Sequence, residues 1–281
     1  MNANRPDPNA QPVELGDLLR YWRDVRGVSQ LDLSLDAGVS QRQISFIESG
    51  RSVPGRDTLL TLAQTLDVPL RERNALLLAA GYAPVYSEAP WNAQEMHGVI
   101  RALERVVRQH EPFPAIVMDR HWNVLMTNEA APRFFGCFID MAAREGPRNM
   151  LHLIFDPHGM RPFLADWDTV SRSLLQRVYR ETVGHVADAG VKRLLDELLA
   201  YPDVPRDWKT HRGTSASPTT PVIPLSLVSE GAVLRYFSMV TTVGAPQNVA
   251  AQELRLECMF PADDETETRH QQLLARHAQH R

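Results

Sequence analysis

Residues 27–50, GVSQLDLSLDAGVSQRQISFIESG, decide how the first third of the chain folds. Ser29 stands where its hydroxyl can cap a helix over Gln30–Ala37, and Gly38 supplies a tight left-handed turn. Ser40 caps a second short helix that ends at Gly50. Within that helix Ile44 and Ile47 point back inward, while Gln41, Arg42, Ser45 and Phe46 point out. Small Ser34, the turn glycine and two inward isoleucines are what two helices crossing at about 90–120° require. Upstream, Leu15, Leu18, Leu19 and Trp22 form one stripe of a helix ending at Gly27. From Glu14 to Gly81 the pattern stays helical, with Gly, Ser and Pro punctuation and no alternating β-branched run, so an all-α, five-helix unit is expected over residues 12–81.

Working outward, YAPVYSEAPW (82–91) carries two prolines and no helical period and reads as a linker. Beyond it the period changes. Met96, Val99, Ile100, Leu103, Val106 and Val107 mark a helix that opens a second domain, expected over residues 92–265. AIVMD (115–119) and NVLMTN (123–128) read as a strand pair feeding the helix EAAPRFFG, with Asn128 placed to cap it. DWDTVSRSLLQRVYRETVG (166–184) and DAGVKRLLDELLA (188–200) read as packing helices. PVIPLSLVSE and AVLRYFSMVTTV flank a Glu230–Gly231 turn, and in LRLECMF the residues Leu254, Leu256, Cys258 and Phe260 alternate with Arg255, Glu257 and Met259. The expectation is an α+β domain with a five-stranded antiparallel sheet and helices over one face. The charged segment 266–281 reads as a frayed tail.

At 281 residues two domains are the natural expectation, and no apolar run approaches the about 18 residues of a membrane span. The start, MNANRPDPNAQPVE, has no apolar stretch for a secretory signal. With only Cys137 and Cys258, a reduced cytoplasmic protein follows. The net charge of -4 gives no hint of nucleic acid. Residues 1–80 hold nine arginines against ten acidic residues, but residues 38–56 hold three arginines against Glu48 alone, so a contact face can be positive where the domain is not. No P-loop, GxGxxG, GxSxG or HExxH occurs, so neither enzyme activity nor a cofactor is expected. His152, Asp156 and His158 match no common ligand spacing, and no metal is expected.

The segment 27–69 resembles the lambda-repressor-like, XRE-type helix-turn-helix family, with the likeness extending over roughly residues 12–80. The resemblance implies double-stranded DNA as partner, read from the N-terminal end of the second helix of the pair. Base contacts then fall to Gln41, Arg42 and Ser45, which suits adenine and guanine edges. Gln30, Ser40, Arg51 and Arg56 would meet phosphates. Arg23 and Glu48 match positions that form an interhelical ion pair.

RERNALLLAAGYAP (71–84), WNVLMTNEAAPRFFG (122–136) and TTVGAPQNVAAQELRLECMFPAD (241–263) resemble a narrower group, XRE-type regulators with a PAS-like, MmyB-like C-terminal ligand-binding domain. That resemblance implies a homodimer on a palindromic operator and a small apolar, fatty-acid-like ligand. From the residues alone come only aromatics and methionines able to line a pocket: Trp122, Met126, Phe135, Trp167, Tyr179, Tyr236 and Met239. A docking module without a small ligand, or an enzyme, are the alternatives for this half.

Overall fold

The computed structural model describes residues 14–183, 189–210 and 225–279. The N-terminal stretch 1–13 and the start of PVIPLSLVSE lie outside them.

Five helices build the first unit: α1 (Leu15–Val25), α2 (Gln30–Ala37), α3 (Gln41–Glu48), α4 (Arg56–Thr65) and α5 (Leu70–Ala79). The start of α2 is a capping box. Ser29 Oγ accepts from the Asp32 amide at 3.1 Å, and the Asp32 carboxylate accepts from the Ser29 amide at 3.4 Å. Gly38 turns the chain at φ 65°, and Ser40 Oγ caps α3 by accepting from the Gln43 amide. Leu33, Ile44, Ile47, Leu59 and Leu62 are buried together as the core. Gly16 sets how closely α1 approaches α3, since a Cβ there would lie 2.6 Å from the Glu48 carbonyl oxygen and 2.8 Å from that of Ile47.

The seam falls later than 81. Buried Asn74 accepts from the amides of Val85 and Tyr86 at 3.1 Å and donates to the Tyr86 carbonyl at 2.8 Å, which fastens most of the expected linker onto α5. The first unit accordingly runs to Ala89 and takes in residues 247–252 as well. In that later segment Gln252 Oε1 accepts from the Leu70 amide at 2.7 Å, and the Val249 amide donates to the Ser87 carbonyl. The small helix that carries them, α11 (Val249–Glu253), has no signature in the periodicity.

The second unit holds α6 (His97–Gln109), β1 (Ala115–Met118), β2 (Val124–Thr127), α7 (Ala130–Gly136), α8 (Met150–Phe155), α9 (Trp167–Val183), α10 (Ala189–Leu199), β3 (Leu225–Ser229), β4 (Ala232–Thr241), β5 (Arg255–Pro261) and α12 (Asp264–Gln279). The strands form one antiparallel sheet in the order β2-β1-β5-β4-β3, the PAS-like α+β architecture expected. Glu230 and Gly231 both take positive φ, as a tight two-residue hairpin requires. Asn128 caps α7 by accepting from the Ala131 amide, and also ties down β1 by accepting from the Ala115 amide.

Two expectations change here. Helices do not gather on one face only. All four residues of β1 are buried, with Ile116 and Met118 in the main core beside α7, while α6 covers the strand elsewhere and its terminal neighbour His110 packs on Phe260. The segment expected to fray is α12, which buries His270 and Leu273 against the domain. Its first turn is held by Asp263 Oδ1, which accepts from the Thr266 amide at 2.7 Å.

Candidate nucleic-acid reader and ligand cavity

The centre of the reader is Glu48, whose side chain is only 2% exposed. Arg23 Nε donates to its Oε1 at 2.7 Å and Arg23 Nη2 to its Oε2 at 3.2 Å, a two-pronged pair joining α1 to α3. Gln30 Nε2 donates to the same Oε2 at 2.8 Å, and Arg20 reaches the Glu48 backbone carbonyl. The Glu48 hydrogen bond holds the Arg23 guanidinium above its ordinary range. With its base thus bolted down, α3 leaves Gln41, Arg42 and Gln43 exposed at its N-terminal end. Arg42 and Arg51 lie over the ring of Phe46, at 5.2 and 4.9 Å from its centre. Phe46 is thereby a platform that holds two cations on one surface. Arg56 stands exposed at the start of α4.

In the second unit a cavity of ≈ 230 Å³ lies between the sheet and helices α7, α8 and α9. Its wall is mainly aliphatic, with Leu225 and Leu227 from β3, Met259 from β5, Phe135 from α7 and Leu174 from α9, and Tyr236 from β4 contributes its ring. Polar groups collect where Ser173, Arg177, Ser238 and Glu257 meet it. Arg177 lies 4.4 Å from the centre of the Trp122 ring, and its Nε is 3.6 Å from Glu181 Oε1. Arg255 Nη1 also approaches Glu181 at 2.8 Å, and Trp122 Nε1 donates to Glu181 at 3.3 Å. Burial pushes the Arg177 guanidinium down, and Glu257 leads the carboxylates that oppose this shift.

A family model described as MmyB-like transcription regulator ligand binding domain matches residues 99–273, and one described as helix-turn-helix matches residues 19–73. The chain belongs to the MmyB-like transcription regulators. No curated protein matches it. As an MmyB-like regulator it binds DNA through the first unit and a small molecule through the second. Among its described residues no helix is long and apolar enough to cross a membrane.

In this MmyB-like regulator most of the expected reader residues are exposed, and Arg42 and Arg51 meet over Phe46. Gln41, Arg42, Ser40, Arg51 and Arg56 are exposed, Ser45 is half-buried, and the amide nitrogen of Gln30 is engaged by Glu48, whose buried second oxygen needs a donor.

The expected pocket residues divide. Phe135 and Tyr236 line the cavity. Trp122 does not, being packed beneath Arg177 and Arg255 in the core at a φ of 65°. Trp167 packs edge-on against Phe155 and under Arg161, and Met126 sits half-buried on β2 outside the lining. Tyr179 is 38% exposed beside Trp208, and Met239 is 58% exposed because strand alternation turns it away from the face that carries Tyr236.

The same alternation governs β5. Glu257 and Met259 face the cavity, opposite the apolar set Leu256, Cys258 and Phe260 that the pattern marks as inward. Pairs spaced by two on three strands, Leu225 with Leu227, Tyr236 with Ser238 and Glu257 with Met259, are the signal that reveals this wall. His152 is bound by Tyr201 at 2.9 Å and Glu197 at 3.2 Å, and burial pushes the Cys258 thiol up.

Proposed function

We propose that the chain is a homodimeric, sequence-specific regulator whose second domain takes up a small effector with an apolar, fatty-acid-like chain, and whose operator affinity changes when that site fills. The observation that carries this reading is the aliphatic cavity between the sheet and α7–α9. A space of ≈ 230 Å³ left among aliphatic side chains forfeits packing contacts, a cost that an apolar ligand would recover. Gln41, Arg42 and Ser45 would read base edges, while Ser40, Arg51 and Arg56 hold phosphates, with Gln30 buttressing Glu48. The half-covered apolar stripe of α6, where Val106 is 43% exposed, supports a dimer on a palindromic site, since a second copy would cover it.

The test uses the full chain and a duplex selected by it from a random library. Saturation with a medium-chain apolar probe should raise the thermal midpoint, because whatever binds only the folded state stabilises it. It should also shift duplex affinity by about 5- to 150-fold, the usual coupling between two sites. Unchanged midpoint and unchanged duplex affinity across a panel of ten-carbon probes would overturn the reading and favour a docking module. Chemical conversion of a probe would favour an enzyme.

A further inference from the structure

A second cavity adjoins the first. It measures ≈ 260 Å³ and is walled by Val124 and Thr127 from β2, Ala131 and Pro132 from α7, Leu153 from α8 and the segment 144–149. Ile116, Phe135 and Met150 line both cavities. The register of the sheet accounts for this continuity. Ile116 on β1 stands opposite Thr127 of β2 on one side and Glu257 of β5 on the other, so one row of side chains on a single face runs from the second cavity into the first. Helix geometry does the same on the facing wall. Leu153 and Ile154 lie one turn beyond Met150 and diverge to either side of it, Leu153 lining the second cavity and Ile154 the first.

Of the three shared side chains, one is free to move. Ile116 is a stiff β-branched residue within the sheet, and Phe135 packs edge-on against Phe134 with ring centres 5.4 Å apart. Met150 is fixed only at its backbone, where its amide donates to the Trp122 carbonyl at 3.0 Å. Its unbranched side chain keeps 8% exposure inside the core and borders open space on both flanks, so few packing contacts hold it in one rotamer. We propose that the effector's apolar chain passes Met150 and occupies both cavities, and that Met150 is the gate admitting chains too long for the first cavity alone. The proposal rests on the effector reading above and adds the chain length to it. At the roughly 25 Å³ per carbon implied by a cavity of about 150 Å³ that takes up benzene, ≈ 230 Å³ holds about nine carbons and the two cavities together about twenty. A ten-carbon chain therefore fills the first cavity, whereas a sixteen-carbon chain requires both.

The experiment is calorimetric titration of the full chain with 1-decanol and 1-hexadecanol, both delivered from cyclodextrin, as wild type and as Thr127→Phe. Thr127 is half-buried and lines the second cavity but not the first, so a phenylalanine ring there takes up space in the second cavity alone. Thr127→Phe should weaken hexadecanol at least about tenfold and decanol less than about threefold. Hexadecanol held as tightly by the variant as by the wild type overturns the proposal and leaves the apolar effector standing. Equal losses for both alcohols overturn it too, since the second cavity would then hold the short chain by itself, and so does a wild type that binds decanol but not hexadecanol. If neither alcohol binds the wild type, the effector reading itself falls. Should Thr127→Phe fail to fold, the wild type crystallised with 1,16-dibromohexadecane decides. One bromine beside Leu174 and the other beside Thr127 upholds the proposal, and both in one cavity, or either in solvent, overturns it.

Discussion

The Tyr236 hydroxyl and His270 Nδ1 lie 3.0 Å apart, with both residues fully buried. His270 Nε2 is 3.1 Å from the Pro112 carbonyl, which can only accept, so the ring carries its proton on Nε2 and Nδ1 accepts from Tyr236. A cavity-lining side chain is thus joined directly to α12. Burial pushes the Tyr236 phenol up and the His270 imidazole down, the Pro112 carbonyl and Glu267 acting against the latter shift. Folded His270 therefore releases its proton at a lower pH than unfolded His270, whose ordinary value is 6.5. Between those two values the unfolded chain holds more protons, so the stability owed to neutral His270 is complete above 6.5 and is lost as pH falls below it. In urea unfolding, the advantage of wild type over His270→Gln should be largest at neutral pH and shrink on acidification. Tyr236→Phe leaves Nδ1 buried without a donor and should cost about 1–3 kcal/mol at neutral pH.

If Arg42 reads a base edge as proposed, Arg42→Ala should cost about 1–3 kcal/mol on the selected duplex and relax discrimination at one base pair, since Arg42 stands exposed at the N-terminal end of α3. Arg56→Ala should weaken binding to every sequence alike and reduce the salt slope by about one. Titrations at two salt concentrations on selected and scrambled duplexes distinguish them. Equal losses on both duplexes for Arg42→Ala would place it on the backbone instead.

Glu48→Ala should be the more damaging half of the α1–α3 pair. It strands the largely buried Arg23 and also deprives Gln30 of its acceptor, whereas Arg23→Ala leaves Glu48 with Gln30 and Arg20. Breaking a buried pair from one side costs about 3–5 kcal/mol. A double-mutant unfolding cycle should return a coupling energy of about 0.5–3 kcal/mol. Additive losses would mean the two side chains act independently.

Two glycine replacements should move stability in opposite directions. Gly16→Ala drives a methyl into the Ile47 and Glu48 carbonyls, forcing α1 off α3, and should cost about 1–3 kcal/mol. Gly98→Ala, inside α6, meets no atom within 4 Å and should stabilise by about 0.4–1 kcal/mol. Thermal unfolding of the two variants reads both signs.

The reader was legible because its determinants are contiguous. Ser29, Gly38, Ser40 and the two isoleucines lie within twenty residues, each acting through local backbone chemistry. The strands were legible for the same reason, since alternation and the Glu230–Gly231 turn are local signals. The cavity was not, because its wall draws one to four residues from each of several elements that adjoin only after folding, and most of them are aliphatic, like any core residue. Trp122 is large enough to line a pocket, yet its ring covers Arg177 and Arg255 instead. Helix α12 is hidden in the sequence because Leu273 and Leu274 are the only large apolar residues in a charged run, and the buried anchor His270 reads as polar.

The Gln252 contact to Leu70 bears on how this protein can be recombined. The first amide of α5 has its acceptor supplied from a point 182 positions further along the chain, from the stretch that joins β4 to β5. A chimaera carrying only the first 89 residues onto another sensor would therefore inherit a reader with that amide left to solvent and its patch over Ser87 uncovered. Conversely, a sensor grafted without its native reader would carry a loop shaped for an absent host. The pair should be exchanged as a whole, or with Val249 and Gln252 redesigned together.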